Sequence, residues 1–157
     1  MKKILLITLF ISVFASLAFC QGDDFSVEIE PKNTLVSKSD RYFSVFTRVV
    51  NTSGKDQTIY IWNCSYEDSW EANNSSVALG GDVCSSHYRS PKLIKQGEKL
   101  EEDISLHIEE SAEPGDITFK LGFRFSTNDD YPPKHEQIYW SNPVTIRYES
   151  ASLPAAR

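Results

Sequence analysis

The run from Ile61 to Trp70 sets two tryptophans, a tyrosine and two carboxylates beside one cysteine. Side chains of this kind suit recognition. Tyr66 and Trp70 supply flat faces, while Glu67 and Asp68 accept hydrogen bonds, a combination that fits a sugar or an extended peptide. Aromatic rings on a loop are costly to leave in water unless they cover or bind something. The expected binding residues are therefore Tyr66, Glu67, Asp68 and Trp70. The competing reading is packing, with Trp62 completing a strand core and Trp70 lying over a disulfide. Tyr139-Trp140 is a milder case, in which alternation along a strand turns one ring of the pair inward.

Catalytic chemistry has little to stand on. His107 sits between Leu106 and Ile108, His135 lies in a charged stretch, and His87 follows Cys84. None has a nucleophile setting such as G-x-S-x-G, and H-E-x-x-H does not occur. The pairs Glu67/Asp68, Glu109/Glu110 and Asp129/Asp130 are adjacent in sequence, so on strands their members face opposite ways. Each reads as solvated charge. Asp129-Asp130 lacks the spaced ligand pattern of a calcium loop. No catalytic residue and no cofactor are expected.

Cys64 and Cys84 are the cysteines that matter once an export signal is removed. In an exported chain the default is that they pair. Closing a loop of about twenty residues contributes roughly 3 kcal/mol in the chain-entropy description. The two positions are too close for the long-range bridge of antibody domains, so a clip between a loop and a strand end is expected. The alternative is a metal site of Cys64, Cys84 and His87. It has three candidate ligands and no second close pair, and no metal is expected.

The export signal is residues 1–20. Lys2 and Lys3 form a charged start, Ile4 to Phe14 is apolar, and Ala15, Ser16 and Ala18 lead to a cut site. This is the three-part layout of a secretory signal, with an apolar core too short for a comfortable membrane span. Ala18-Phe19-Cys20 before Gln21 fits an ordinary cut and gives a secreted or periplasmic protein. The alternative is a lipid anchor at Cys20, because Leu17-Ala-Phe-Cys20 is similar to a lipobox; Phe19 stands against it. Membrane contact is expected only with that anchor.

Removing Lys2 and Lys3 from 16 basic residues leaves 14 against 22 acidic ones, a formal charge of −8. Such a balance argues against nucleic acid as a partner. Four glycosylation sequons occur, at Asn51, Asn63, Asn73 and Asn74, and matter only in a eukaryotic secretory route.

These residues must be carried by strands. Phe25, Val27 and Ile29 alternate with polar residues, as do Phe43, Val45, Thr47 and Val49. Turn residues at 51–56 predict a hairpin from the second run into Thr58–Trp62. Ser76–Leu79 reads as a short strand. Leu100, Ile104, Leu106 and Ile108 form another face, and Ile117, Phe119, Leu121, Phe123 and Phe125 the most regular one. Gly122 within it predicts a bulge or a close approach. A last strand spans about Gln137 to Tyr148, and Pro143 places it at an edge or a bulge.

The expected fold is all-β: an antiparallel, immunoglobulin-like β-sandwich of about seven to eight strands with Greek-key wiring. Residues 21–150 make one domain, and 151–157 a frayed tail. Asn51-Thr-Ser-Gly-Lys-Asp-Gln-Thr-Ile-Tyr-Ile, Leu93-Ile-Lys-Gln-Gly-Glu and Gly115-Asp-Ile-Thr-Phe resemble, in their order, small bacterial immunoglobulin-like modules. The BsuPI-type intracellular proteinase inhibitor family shows this order. The resemblance implies a sandwich and, as a possibility of function, protease inhibition. The export signal and the two cysteines depart from an intracellular inhibitor.

Three functions follow in order. The first is an exported, non-catalytic binding domain for a protein or glycan, contacting it through the Trp62–Cys84 region or a sheet edge. The second is a protease-inhibitor-like sandwich, and the third a metal-binding or hydrolytic secreted protein.

Overall fold

A computed structural model describes residues 24–62, 66–80, 88–130 and 136–149. The signal segment, Cys64, Cys84, His87, His135 and the tail lie outside them. Twelve strands run through the described residues: β1 (Phe25–Pro31), β2 (Leu35–Ser37), β3 (Tyr42–Asn51), β4 (Gln57–Trp62), β5 (Trp70–Ala72), β6 (Val77–Leu79), β7 (Arg89–Ile94), β8 (Lys99–Ile108), β9 (Gly115–Phe119), β10 (Leu121–Ser126), β11 (Glu136–Trp140) and β12 (Val144–Glu149). There is no α-helix among the described residues. The excess over the expected seven or eight comes from β2, β5 and β7, which alternation does not reveal, and from two long runs (117–125 and 137–148) each divided in two.

One sheet has the order β1-β3-β8-β6. A second has the order β11-β10-β4-β7, with β5 also on β10, and a third is β2-β12-β9. Pairing is antiparallel throughout except between β2 and β12. The inner faces meet in a single core. Phe25 of the first sheet packs edge-on against Phe125 of the second, with ring centroids 5.0 Å apart. Phe43 does the same against Phe119 of the third at 6.0 Å. The alternating residues expected to face inward on β1, β3, β8 and the β9–β10 run are all buried. Thr47 joins them because its hydroxyl donates to the Glu102 carbonyl at 2.9 Å, which satisfies its one polar atom.

The expected hairpin between β3 and β4 does not form. β3 pairs with β1 and β8, whereas β4 pairs with β7 and β10 in the other sheet. The 51–56 turn is a crossover, and buried Asn51 holds it. Its amide donates to the carbonyls of Lys55 (2.8 Å) and Ile94 (2.9 Å), and its oxygen accepts from the Ser53 N–H and hydroxyl. With both amide hydrogens engaged in a buried site, Asn51 is a structural element of the crossover.

The β11–β12 run changes sheet at Ser141–Pro143. The register with β10 matches Gly122 to Trp140, and that with β9 matches Phe119 to Val144, so one extra residue is accommodated between them. This is the bulge that Pro143 announced. Ser141 closes it, donating its N–H to the Leu121 carbonyl at 2.9 Å and accepting the Leu121 N–H on its hydroxyl at 3.1 Å.

Candidate functional site

The outer face of the five-strand sheet is built from every second residue of its strands. On β10 the inward Leu121, Phe123 and Phe125 leave Gly122, Arg124 and Ser126 outward. The register then places Trp140, Ile138 and Glu136 of β11 beside them. On the other side of β10, Glu71 of β5 pairs with Gly122 and Tyr60 of β4 with Ser126. The remaining pairs of β4 and β7 set Trp62 opposite Arg89 and Thr58 opposite Leu93.

Two arginines organise this face. Arg89 is the more enclosed, with its side chain only 5% exposed. Its guanidinium lies 4.9 Å over the Trp62 ring and pairs through Nη2 with Glu136. Arg89 Nε and Nη1 are buried and have no hydrogen-bond partner among the described residues. Arg124 stands next in line. It is 3.9 Å from Glu136 and 3.7 Å from Glu71, and it donates to the Asp68 main-chain carbonyl at 3.2 Å. Glu136 thus bridges both cations, and a stacked, partly desolvated arginine gains more from such a pair than a solvated one.

Beside this charged row the face is apolar. Ile138 is 40% and Trp140 42% exposed, and Leu93 is exposed as well. Gly122 makes the arrangement possible. A Cβ there would lie 2.7 Å from Ile138 Cγ2 and 3.0 Å from Trp140 Cζ3, so only glycine lets both side chains lie down on β10. The expected close approach at Gly122 is therefore one of side chains over a bare backbone, with the bulge placed farther along at Ser141. A flat indole flanked by guanidinium and carboxylate groups can stack on an apolar face and hold polar groups at its border.

The residues proposed from sequence divide. Trp70 is 1% exposed and packs on Phe123 with centroids 5.1 Å apart, so it is a core residue with no face to offer a ligand. Its position on β5 opposite Phe123 fixes that direction. Asp68 is half-buried in the 3-10 turn Tyr66–Ser69, and its Oδ2 is buried with no hydrogen-bond partner among the described residues. Tyr66 and Glu67 belong to the same turn, and their side chains lie outside the description. The expected Cys64–Cys84 pairing falls on residues outside it too. Trp62, expected in the core, faces outward under Arg89. Of the Tyr139-Trp140 pair, Tyr139 turns inward and stacks on Phe125 at 5.5 Å. Trp140 is left as the exposed ring.

Sequence reasoning missed Arg89, Glu136 and the outward role of Trp140. Alternation along β10 did put Arg124 opposite the phenylalanines. Which strands would flank it depends on pairing across distant segments, for which the sequence carries no local signal. Elsewhere, His107 lies on the outer face of the first sheet, 3.5 Å from Glu109 and beside Tyr42. No cluster of three metal-ligating side chains occurs among the described residues.

No protein-family model matches the sequence, and comparison with curated proteins gives no match. The resemblance to the BsuPI-type family therefore gains no support from them. Among solved structures, the chain is similar to a FixG-related protein from Vibrio parahaemolyticus, at 11% identity and a TM-score of 0.42, over 82% of this chain and 99% of that one. It is also similar to the ASH/PapD-like domain 7 of human CEP192, at 11% identity and a TM-score of 0.32, over 81% and 89% of the two chains. At that level of overlap neither likeness carries a function to this chain.

Proposed function

We propose that this chain is an exported, non-catalytic binding domain, and that the outer face of its five-strand sheet is the contact surface for a protein or glycan. One observation carries the reading. Trp140 and Ile138 lie exposed on that face beside a charged row of Arg89, Glu136 and Arg124, of which Arg89 is enclosed. An exposed apolar patch bordered by oriented polar groups is the usual anatomy of a contact surface. Export along the signal of residues 1–20 and a Cys64–Cys84 clip belong to the same proposal. Both suit a domain that works in an oxidising compartment.

The test is a survey of immobilised neutral and acidic oligosaccharides and of extended peptides, probed with the exported protein and with Trp140→Ala and Ile138→Ser. At least one ligand retained by the parent and weakened tenfold or more by Trp140→Ala, with unchanged melting, supports the proposal. Binding that both variants retain in full places the contact elsewhere and overturns it. Inhibition of a secreted protease by an excess of the domain, undiminished in both variants, would instead favour the inhibitor reading.

A further inference from the structure

A second surface lies where the two large sheets end side by side. β1 is the edge of the first sheet and β11 the edge of the second. Between them runs a cleft of about 800 Å³, lined by Phe25, Ser26, Val27, Gln137, Ile138 and Trp140 among others. That volume is in the range of ligand-binding clefts. We propose that this cleft takes up an extended, uncharged polypeptide segment as an added β-strand, ending in a basic residue.

The hydrogen-bond register identifies which main-chain groups face away from the sheets. At the two ends of the β1–β3 ladder, Lys32 N–H donates to the Ser44 carbonyl (2.9 Å) and Thr52 N–H to the Asp24 carbonyl (3.0 Å). Even-numbered residues of β1 therefore face β3, and Phe25, Val27 and Ile29 direct their main-chain groups outward. On β11, Ser141 N–H donates to Leu121, so Gln137 and Tyr139 face β10 while Ile138 and Trp140 point away. Two rows of main-chain donors and acceptors thus border one cleft.

Asn142 shows how such an edge is satisfied. Its side-chain amide accepts the Ile29 N–H at 3.0 Å and donates to the Ile29 carbonyl at 3.3 Å, taking the place of a neighbouring strand. Among the described residues, the same edge continues to Val27 and Phe25 without a side chain of that kind. An extended backbone is the chemistry that completes both rows, since it presents alternating donors and acceptors at the strand repeat.

Charge sets the rest of the occupant. The lining of the cleft is uncharged. Beyond Asn142 the β1 edge leads to a second cleft of about 360 Å³ with Glu28 and Glu30 beside Ile29, Phe46 and Arg48. Glu28 is engaged by Arg48, and Glu30 is exposed. A neutral segment followed by lysine or arginine fits this order. The inference is independent of the outer-face reading, because it uses the main chain of Ile138 and Trp140 and not their side chains.

The test uses a fluorescein-labelled peptide of alternating valine and threonine ending in two lysines, followed by anisotropy with the whole exported protein. Two further peptides carry N-methyl groups on alternate amides, one on each register, which removes strand pairing and leaves the side chains and the protein unchanged. Saturable binding that falls at least tenfold with either N-methylated peptide, and severalfold when glutamate replaces the lysines, is expected. Equal binding of the methylated peptides, or no binding by a protein that sediments as an edge-paired dimer, would overturn the proposal.

Discussion

The outer faces of the two large sheets are made from the same materials and finished differently. On the four-strand sheet Arg48 lies 5.5 Å over Phe46 and bridges Glu28 (3.2 Å) and Glu101 (2.7 Å), across three neighbouring strands. Lys32 meets Asp103 nearby, at 2.5 Å. Glu101 foremost, with Glu28, holds the Arg48 guanidinium above its ordinary range. On the five-strand sheet Arg89 covers Trp62 and pairs with Glu136, but it is enclosed, and an indole and an isoleucine lie open beside it. A charged ladder in water keeps a sheet soluble and contributes little to binding energy. An enclosed arginine beside exposed apolar side chains has the opposite character. Tyr42 is exposed on the four-strand face as well, so an enclosed arginine beside open apolar side chains, and not an open ring alone, separates a contact face from a solvated one.

That contrast can be broken most severely from the inside. Trp70→Ala empties the core beneath the five-strand sheet and should cost about 3–5 kcal/mol in urea denaturation. A cost under about 1 kcal/mol would mean Trp70 is not a core residue. Next comes Arg89→Ala, which leaves Glu136 partly covered without its nearest cation and is expected to cost about 2–3 kcal/mol. A double-mutant cycle with Glu136→Gln checks that the loss belongs to the pair. Trp140→Ala should change stability by less than about 1 kcal/mol, since its ring lies on the surface. It should also remove the component of tryptophan fluorescence most readily quenched by acrylamide. Smallest of all is Arg48→Ala, which should leave the melting temperature unchanged in 0.5 M salt because its partners are exposed.

Much of the fold was legible because burial on a strand repeats every second residue. Phe43 to Val49 and Ile117 to Phe125 declare their inner faces without reference to anything distant. Pro143 and Gly122 also carried local meaning, as a bulge and as a bare patch of backbone. What failed was pairing. The Asn51–Asp56 turn has the composition of a hairpin, yet the direction in which it leads the chain is set by the Asn51 amide reaching Ile94, a contact spanning 43 residues. β7 went unseen because Pro91 and Lys92 interrupt its alternation, although it carries the arginine at the centre of the site.

The site was read from composition, and composition does not give direction. Trp62, Trp70 and Trp140 look alike in sequence. One lies under an arginine, one fills the core and one is open to water, and the difference comes from which strand lies opposite each. Asp68 stands near the proposed surface, its main-chain carbonyl held by Arg124. Trp70 leaves the expected platform because β5 turns it inward, and the proposed surface is built instead on Trp140 and Ile138.

The central claim is that the outer face of the five-strand sheet makes contact while the β8 side of the four-strand sheet does not. A photo-crosslinking amino acid placed at Ile138 or Leu93, and in parallel at Glu101 or Asp103, tests it in the exporting cell. The account predicts a discrete covalent adduct from Ile138 and Leu93 and none from Glu101 and Asp103. Adducts from Glu101 and Asp103 alone, or equally from both sets, would contradict it.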